Sequence, residues 1–151
     1  MKVLALIPAR LASTRFPNKP LTQILGKSML QHIVERVQLC SEVSEVVVAT
    51  CDQQIIEHIQ GLGYQAVMTS DRHERASDRC AEAVAKLENS KNTKYDIVVM
   101  VQGDEPMTDP RMLLDVLQPF AKSPDLQVVN LYADIAAGEF ASPNCVKVVM
   151  D

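Results

Sequence analysis

The sequence predicts an α/β fold with a doubly wound, mostly parallel sheet. Three observations carry that reading. Short runs rich in β-branched and apolar residues recur along the chain without polar alternation, as strands covered on both faces do. Amphipathic stretches with helical spacing lie between them, and the two patterns alternate throughout. At 151 residues, 47% of them hydrophobic, the chain has the size and apolar content for one compact core, read here as a single domain over residues 1–151.

Taken in order, Val3–Ile7, Val46–Thr50, Ala66–Met68, Ile97–Val101, Val128–Tyr132 and Val146–Met150 read as strands. The first intervening helix places Met29, Leu30, Ile33, Val34 and Val37 on one face, with Gly26 turning the chain into a start near Ser28. Asp52 is placed to cap a second helix carrying Ile55, Ile56, Ile59 and Leu62, which Gly61 and Gly63 help to end. Ser77 opens a third, with Cys80, Ala81, Val84 and Leu87 inward. Asp109-Pro110 is an N-cap followed by proline at the first helical position, and it starts a helix through Leu113, Leu114, Leu117 and Phe120.

Charge is distributed unevenly. The net charge of −4 excludes a generally basic nucleic-acid-binding surface. Residues 1–40 nevertheless carry six Lys or Arg against one acid, Glu35. Such an asymmetry focuses a small anion on one place, although a basic face for a partner protein would look the same. Cys40, Cys51, Cys80 and Cys145 lie far apart without a Cys-x-x-Cys pair, so neither a zinc site nor a disulfide framework is expected. The Met-Lys start and its apolar run are interrupted by Pro8 and Arg10, and no apolar run approaches the ~20 residues that cross a bilayer. A cytoplasmic protein without membrane partners is expected.

In doubly wound sheets ligands sit beyond the carboxyl ends of the strands, which selects the loops 8–20, 69–78 and 102–108. The first concentrates Arg10, Ser13, Arg15 and Lys19 after a buried strand, the cations that phosphoryl or nucleotidyl transfer needs; a solvated basic loop would carry the same residues. Gly26-Lys27-Ser28 ends like a P-loop, but Leu21 stands where the first glycine is required, and no G-x-G-x-x-G occurs. The third-strand loop holds Ser70 and His73 as candidate ligand contacts, with a charged loop leading into a capped helix as the alternative; His73-Glu74 lacks a second zinc-binding histidine, because position 77 is serine. After the fourth strand, Gln102-Gly103-Asp104-Glu105 offers a carboxylate, Asp104, suited to a divalent cation, with Glu105 pointing away and Gln102 free to bind base or sugar. An Asp- and Gly-rich surface turn is the alternative there.

Five separated blocks occur in one order: Ile7-Pro8-Ala9-Arg10-Leu11-Ala12-Ser13-Thr14-Arg15-Phe16-Pro17-Asn18-Lys19-Pro20-Leu21, Gly26-Lys27-Ser28-Met29, His73 to Arg79, Val101-Gln102-Gly103-Asp104-Glu105-Pro106, and Asn144-Cys145-Val146-Lys147-Val148-Val149. Together they resemble the 3-deoxy-manno-octulosonate (Kdo) cytidylyltransferase, or CMP-Kdo synthetase, family over essentially the whole chain. The resemblance implies a nucleotide-diphospho-sugar transferase-like fold. It also implies a magnesium-dependent reaction in the cytoplasm, CTP plus Kdo giving CMP-Kdo and pyrophosphate for lipopolysaccharide synthesis.

On that template Arg10 and Lys19 are the catalytic cations that neutralise the triphosphate, and Ser13 and Arg15 support their loop. Ala9, Ser70, His73 and Gln102 contact the nucleotide, and Asp104 holds Mg2+. Asn18 stands where the family usually has glycine and tolerates an unusual backbone conformation. Arg75 and Ala76 replace a Ser-Gly pair common in the third loop of relatives, which bears on close backbone approach to the base. The family forms homodimers and continues past Asp151 into a part supplying much of the sugar pocket, the dimer contacts and a second metal-binding aspartate. The expectation is therefore the nucleotide-binding portion of such an enzyme. Another acidic sugar, an 8-amino Kdo or a sialic-type acid, and a noncatalytic nucleotide-binding module are the alternative readings.

Overall fold

A computed structural model describes residues 1–12, 16–123 and 125–148. The chain forms two compact units, Met1–Leu114 and Asp115–Asp151.

The first unit is built around β1 (Val3–Ala9), whose seven residues are all buried. With β4 (Glu45–Thr50), β5 (Gln65–Met68) and β6 (Ile97–Met100) it forms a parallel sheet of order β5-β4-β1-β6. The register sets Leu4 beside Glu45 and Val98, and Leu6 beside Val47 and Met100. Because side chains alternate across a strand, one face collects Leu4, Leu6, Val47 and Ala49, and α3 (Ala76–Lys91) covers it with Cys80, Ala83 and Leu87. Ala5, Ile7, Val46 and Val48 point to the opposite face. There α1 (Met29–Gln38) and α2 (Gln53–Gly61) pack on β4 and bury Leu30, Ile33, Val37, Ile55 and Ile59. The apolar strands β1 and β4 thus have helices on both sides, as the sequence predicts; β6, the last strand in the order, departs from that expectation, with Val98 and Met100 exposed on one face.

Local signals explain the helix ends. Ser28 caps α1, its Oγ accepting the Gln31 N–H at 3.1 Å. At the end of α2, Gly63 takes φ +82° and donates to the Gln60 carbonyl, while the Tyr64 N–H reaches back to Ile59, closing the last turn. Burial in the α3-facing core pushes the Cys80 thiol up to about 11, so it packs as a neutral apolar group. The helix α3 begins at Ala76, one residue before the predicted Ser77, with Arg75 at its N-cap position. Between β1 and α1 the chain makes a short hairpin, β2 (Gln23–Ile24) and β3 (Lys27–Ser28). Its two loop residues, Leu25 at φ 49° and Gly26 at φ 82°, are both left-handed, the condition for a hairpin turn matched to strand twist.

One close approach ties β6 to β1. The Val101 N–H donates to the Leu6 carbonyl at 2.9 Å, continuing the pairing past the end of β6. Two residues later the backbone of Gly103 lies against β1, where a Cβ would stand 2.3 Å from the Pro8 carbonyl oxygen. Only glycine fits there.

Helix α4 (Pro110–Lys122) starts where predicted, the Asp109 carboxylate accepting the Arg111 N–H at 2.9 Å. The second unit, from Asp115, continues in hydrogen-bonded turns such as Ala136 to Glu139 and Ser142 to Cys145. Here two expectations are corrected. Val128–Tyr132 is irregular rather than a strand, and so are 146–148, while Val149 and Met150 lie outside the described residues. The reason is lack of cover: Val128, Tyr132, Val146 and Val148 are exposed, Val146 to 92%, and β-propensity expresses itself only on a surface that buries the side chains.

Two substitutions test these arguments. Leu25→Asn should stabilise the protein by about 1 kcal/mol, because Leu25 is 97% exposed and loses no packing while asparagine tolerates the left-handed conformation. Gly103→Ala should destabilise by roughly 1–3 kcal/mol, the range for forced overpacking. Urea midpoints at constant slope check both.

Candidate active site

The sheet places β1 between β4 and β6, and the connections to these neighbours lie on opposite faces: α1 carries the chain from β1 to β4, whereas α3 carries it from β5 to β6. Beyond the carboxyl ends of β1 and β6 the flanking loops diverge and leave a crevice. A cleft of about 1080 Å³ opens there, lined by Pro8, Ala9, Arg10, Lys19, Gln102 and Asp104, with Phe16, Pro20 and Met29 contributing to its wall.

Each polar group has a local reason for its place. Gln102 and Asp104 flank the Gly103 contact and are therefore held beside Pro8 and Ala9. The first loop returns to the sheet through Asn18, which adopts φ 57° and ψ 19° and donates its N–H to the Leu11 carbonyl at 3.3 Å. The conformational freedom expected of Asn18 is thus used. A 3-10 turn follows over Lys19–Leu21 and buries Pro20. From that turn the Lys19 Nζ reaches the Asp104 Oδ2 at 2.9 Å, across 85 residues of sequence. The pair is open to water, with side-chain exposures of 38% and 55%, so it adds at most about 1 kcal/mol to stability. Its consequence is local: an ammonium and a carboxylate are held together in the lining of a cationic cleft.

Arg10 is exposed, and no carboxylate neutralises it among the described residues. Ser13 and Arg15 lie outside the described residues. Glu105 is exposed and takes no part in the cleft wall, as its expected orientation implies.

The third loop contributes differently. A smaller pocket of about 170 Å³ is lined by Ala9, Arg10, His73, Arg75, Ala76 and Arg79, among others, and shares Ala9 and Arg10 with the larger cleft. Arg79 is 3% exposed, and its Nη1 donates to Thr69 Oγ1 and to the Ser70 carbonyl. Glu82 is the hub of this loop: it pairs with Lys86 at 2.7 Å, accepts the Ser70 N–H at 2.9 Å and receives the His73 Nε2. Those partners, Lys86 first, hold its carboxyl at about 2. Ser70 lines neither cavity; its Oγ accepts the Arg72 N–H and its backbone is bound to Glu82 and Arg79. His73 is both a pocket residue and the anchor to Glu82.

Of the residues singled out by sequence, Ala9, Arg10, Lys19, Gln102 and Asp104 converge on one cleft, and His73 joins Ala9 and Arg10 in its neighbour. Sequence reasoning missed Glu82 and Arg79 as the scaffold of the third loop. It also missed the contact that requires Gly103, although a glycine between a strand end and an aspartate is the kind of signal that could have raised it.

Known proteins resemble this chain in sequence and fold. A profile of the cytidylyltransferase family matches residues 4–151. The chain is 47% identical to a 3-deoxy-manno-octulosonate cytidylyltransferase of Geotalea daltonii, over all of the chain and 58% of that protein. It is 41% identical to the mitochondrial 3-deoxy-manno-octulosonate cytidylyltransferase of Arabidopsis thaliana, over 99% of the chain and 50% of that protein. A solved structure of CMP:2-keto-3-deoxy-manno-octonic acid synthetase complexed with CTP superposes with a TM-score of 0.77 at 40% identity, covering 83% of this chain and 50% of the other. The chain therefore spans between half and three-fifths of the length of these relatives. No described helix is long and apolar enough to cross a membrane. By the match over residues 4–151, with a parallel sheet and cationic cleft to accompany it, this chain belongs to the cytidylyltransferase family.

Proposed function

We propose that the chain binds CTP for transfer of its cytidylyl group to an acidic sugar, 3-deoxy-manno-octulosonate, giving CMP-Kdo and pyrophosphate. The observation that carries this reading is the meeting of Arg10, Lys19 and Asp104 in one cleft at the strand switch point. Support comes from relatives that bear the name of this activity and from the CTP-bound structure of one of them.

The chemistry suits the residues. A hydroxyl oxygen of the sugar attacks the α-phosphorus and forms the new P–O bond, the bridging bond to the β-phosphate breaks, and the hydroxyl proton is released. Negative charge gathers on the departing pyrophosphate. Arg10, with a planar donor fork, and Lys19, a mobile point charge, are suited to hold that charge. Lys19 reaches the triphosphate by leaving Asp104, a cheap exchange because their pair is exposed.

Magnesium is consistent with the donor set. Mg2+ usually takes one or two protein carboxylates and completes its sphere with phosphate oxygens and water. Asp104 provides one half-exposed carboxylate beside the cations, and no cluster of three or more His, Cys, Asp or Glu able to enclose a metal occurs among the described residues. Asp104 would hold the ion. When bound, the ion supplies positive charge that offsets the phosphate oxygens. Ala9, Gln102 and His73 are assigned to the nucleoside end of the ligand, and Ser70 to holding the His73 loop in shape.

Calorimetric titration with CTP and magnesium tests the reading. Arg10→Ala and Lys19→Ala should each weaken CTP by about tenfold or more, the worth of a charge-assisted hydrogen bond. Asp104→Ala should remove the dependence of CTP affinity on magnesium. Release of pyrophosphate from CTP should require Kdo. CTP binding indifferent to all three substitutions would sink the proposal.

A further inference from the structure

A carboxylate at a helix N-cap ordinarily accepts N–H bonds from the first turn of its own helix. Asp52 stands at that position of α2, in an extended conformation, and makes no such side-chain bond. The helix starts on its backbone carbonyl instead, which accepts from Ile55 and Ile56 at 3.1 and 3.2 Å. Its Oδ2 accepts the N–H of Leu11 at 2.8 Å, a residue 41 positions away. The base of the carboxylate is itself held: the buried Thr50 Oγ1 accepts the Asp52 N–H at 3.1 Å.

Leu11 sits at a junction. It directly follows Arg10, and its carbonyl accepts the N–H of Asn18, the left-handed residue that begins the turn presenting Lys19. Pinning this one residue therefore restrains the backbone on which both cations depend. The group doing so comes from the end of β4, outside every loop selected as chemical.

We propose that Asp52 is a positioning residue for the cationic cleft, acting through its bond to Leu11 to hold Arg10, and through Asn18 Lys19, in place before ligand arrives. The inference rests on the preceding reading that these cations bind CTP. Ordering the loop during folding removes that entropic cost from binding. A negative charge near a polyanion would ordinarily weaken binding, but here it lies at the positive end of the α2 dipole, which offsets it.

The test separates the tether from both the helix cap and the nucleotide site. Serine is a good N-cap but too short to reach Leu11, whereas asparagine keeps an acceptor oxygen at the same length. In the nucleotide-free chain, Asp52→Ser should accelerate amide hydrogen exchange at Leu11 while Asp52→Asn leaves it protected. With CTP and magnesium, Asp52→Ser should weaken binding about tenfold at an unchanged urea midpoint, and Asp52→Asn should stay within about twofold. In the Arg10→Ala background the loss from Asp52→Ser should shrink, since the two act through one loop.

Unchanged exchange at Leu11 in Asp52→Ser, CTP affinity equal to the parent, or full additivity with Arg10→Ala would each overturn the proposal. So would Asp52→Asn losing as much affinity as Asp52→Ser, because charge rather than the tether would then be at work. The exchange readout needs no nucleotide, so a failed tether is distinguishable from a failed CTP reading, which Arg10→Ala alone reports.

Discussion

The structure depends on β1 being buried on both faces between two parallel neighbours. Seven consecutive residues without an exposed side chain leave the chain nowhere to place a charge until Arg10, so the first cation of the site appears where the sheet stops. The same burial fixes which loops can meet it. With β4 on one side and β6 on the other, the carboxyl ends of these strands bring three distant segments, near residues 10, 52 and 104, to one edge of the sheet.

Steric fit and electrostatics then act together at that edge. Gly103 lets the β6 loop lie against the Pro8 carbonyl, which no side chain would permit, and so puts Asp104 within reach of Lys19. Lys19 arrives from the other direction through a left-handed asparagine and a turn built on Pro20. Neither backbone device involves charge. They convert a basic segment and an acidic strand end, separated by 85 residues, into an ion pair lining a cleft.

The third loop shows a second style of construction. Its conformation is held by a buried arginine donating to neutral oxygens and by a glutamate that gathers a lysine, a histidine and a backbone N–H. Residues that look chemical in the sequence, Ser70 and His73, are here partly or wholly engaged in that scaffold. Arg75 remains exposed on the pocket wall.

Sequence by itself determined the alternating α/β order, the buried strands β1 and β4, the helices of the first 114 residues, and the convergence of Arg10, Lys19, Gln102 and Asp104. Those features follow from local causes: apolar period, capping residues, and the rule that ligand loops lie at strand ends. Tertiary structure alone decided the rest. Val128–Tyr132 has strand composition, yet Val128, Leu131 and Tyr132 are exposed and the segment is irregular, so its propensity goes unexpressed. Asp52 has every mark of a helix cap, yet its carboxylate bonds to Leu11, because a side-chain acceptor takes whichever donor the fold brings nearest, and no local pattern records that distance.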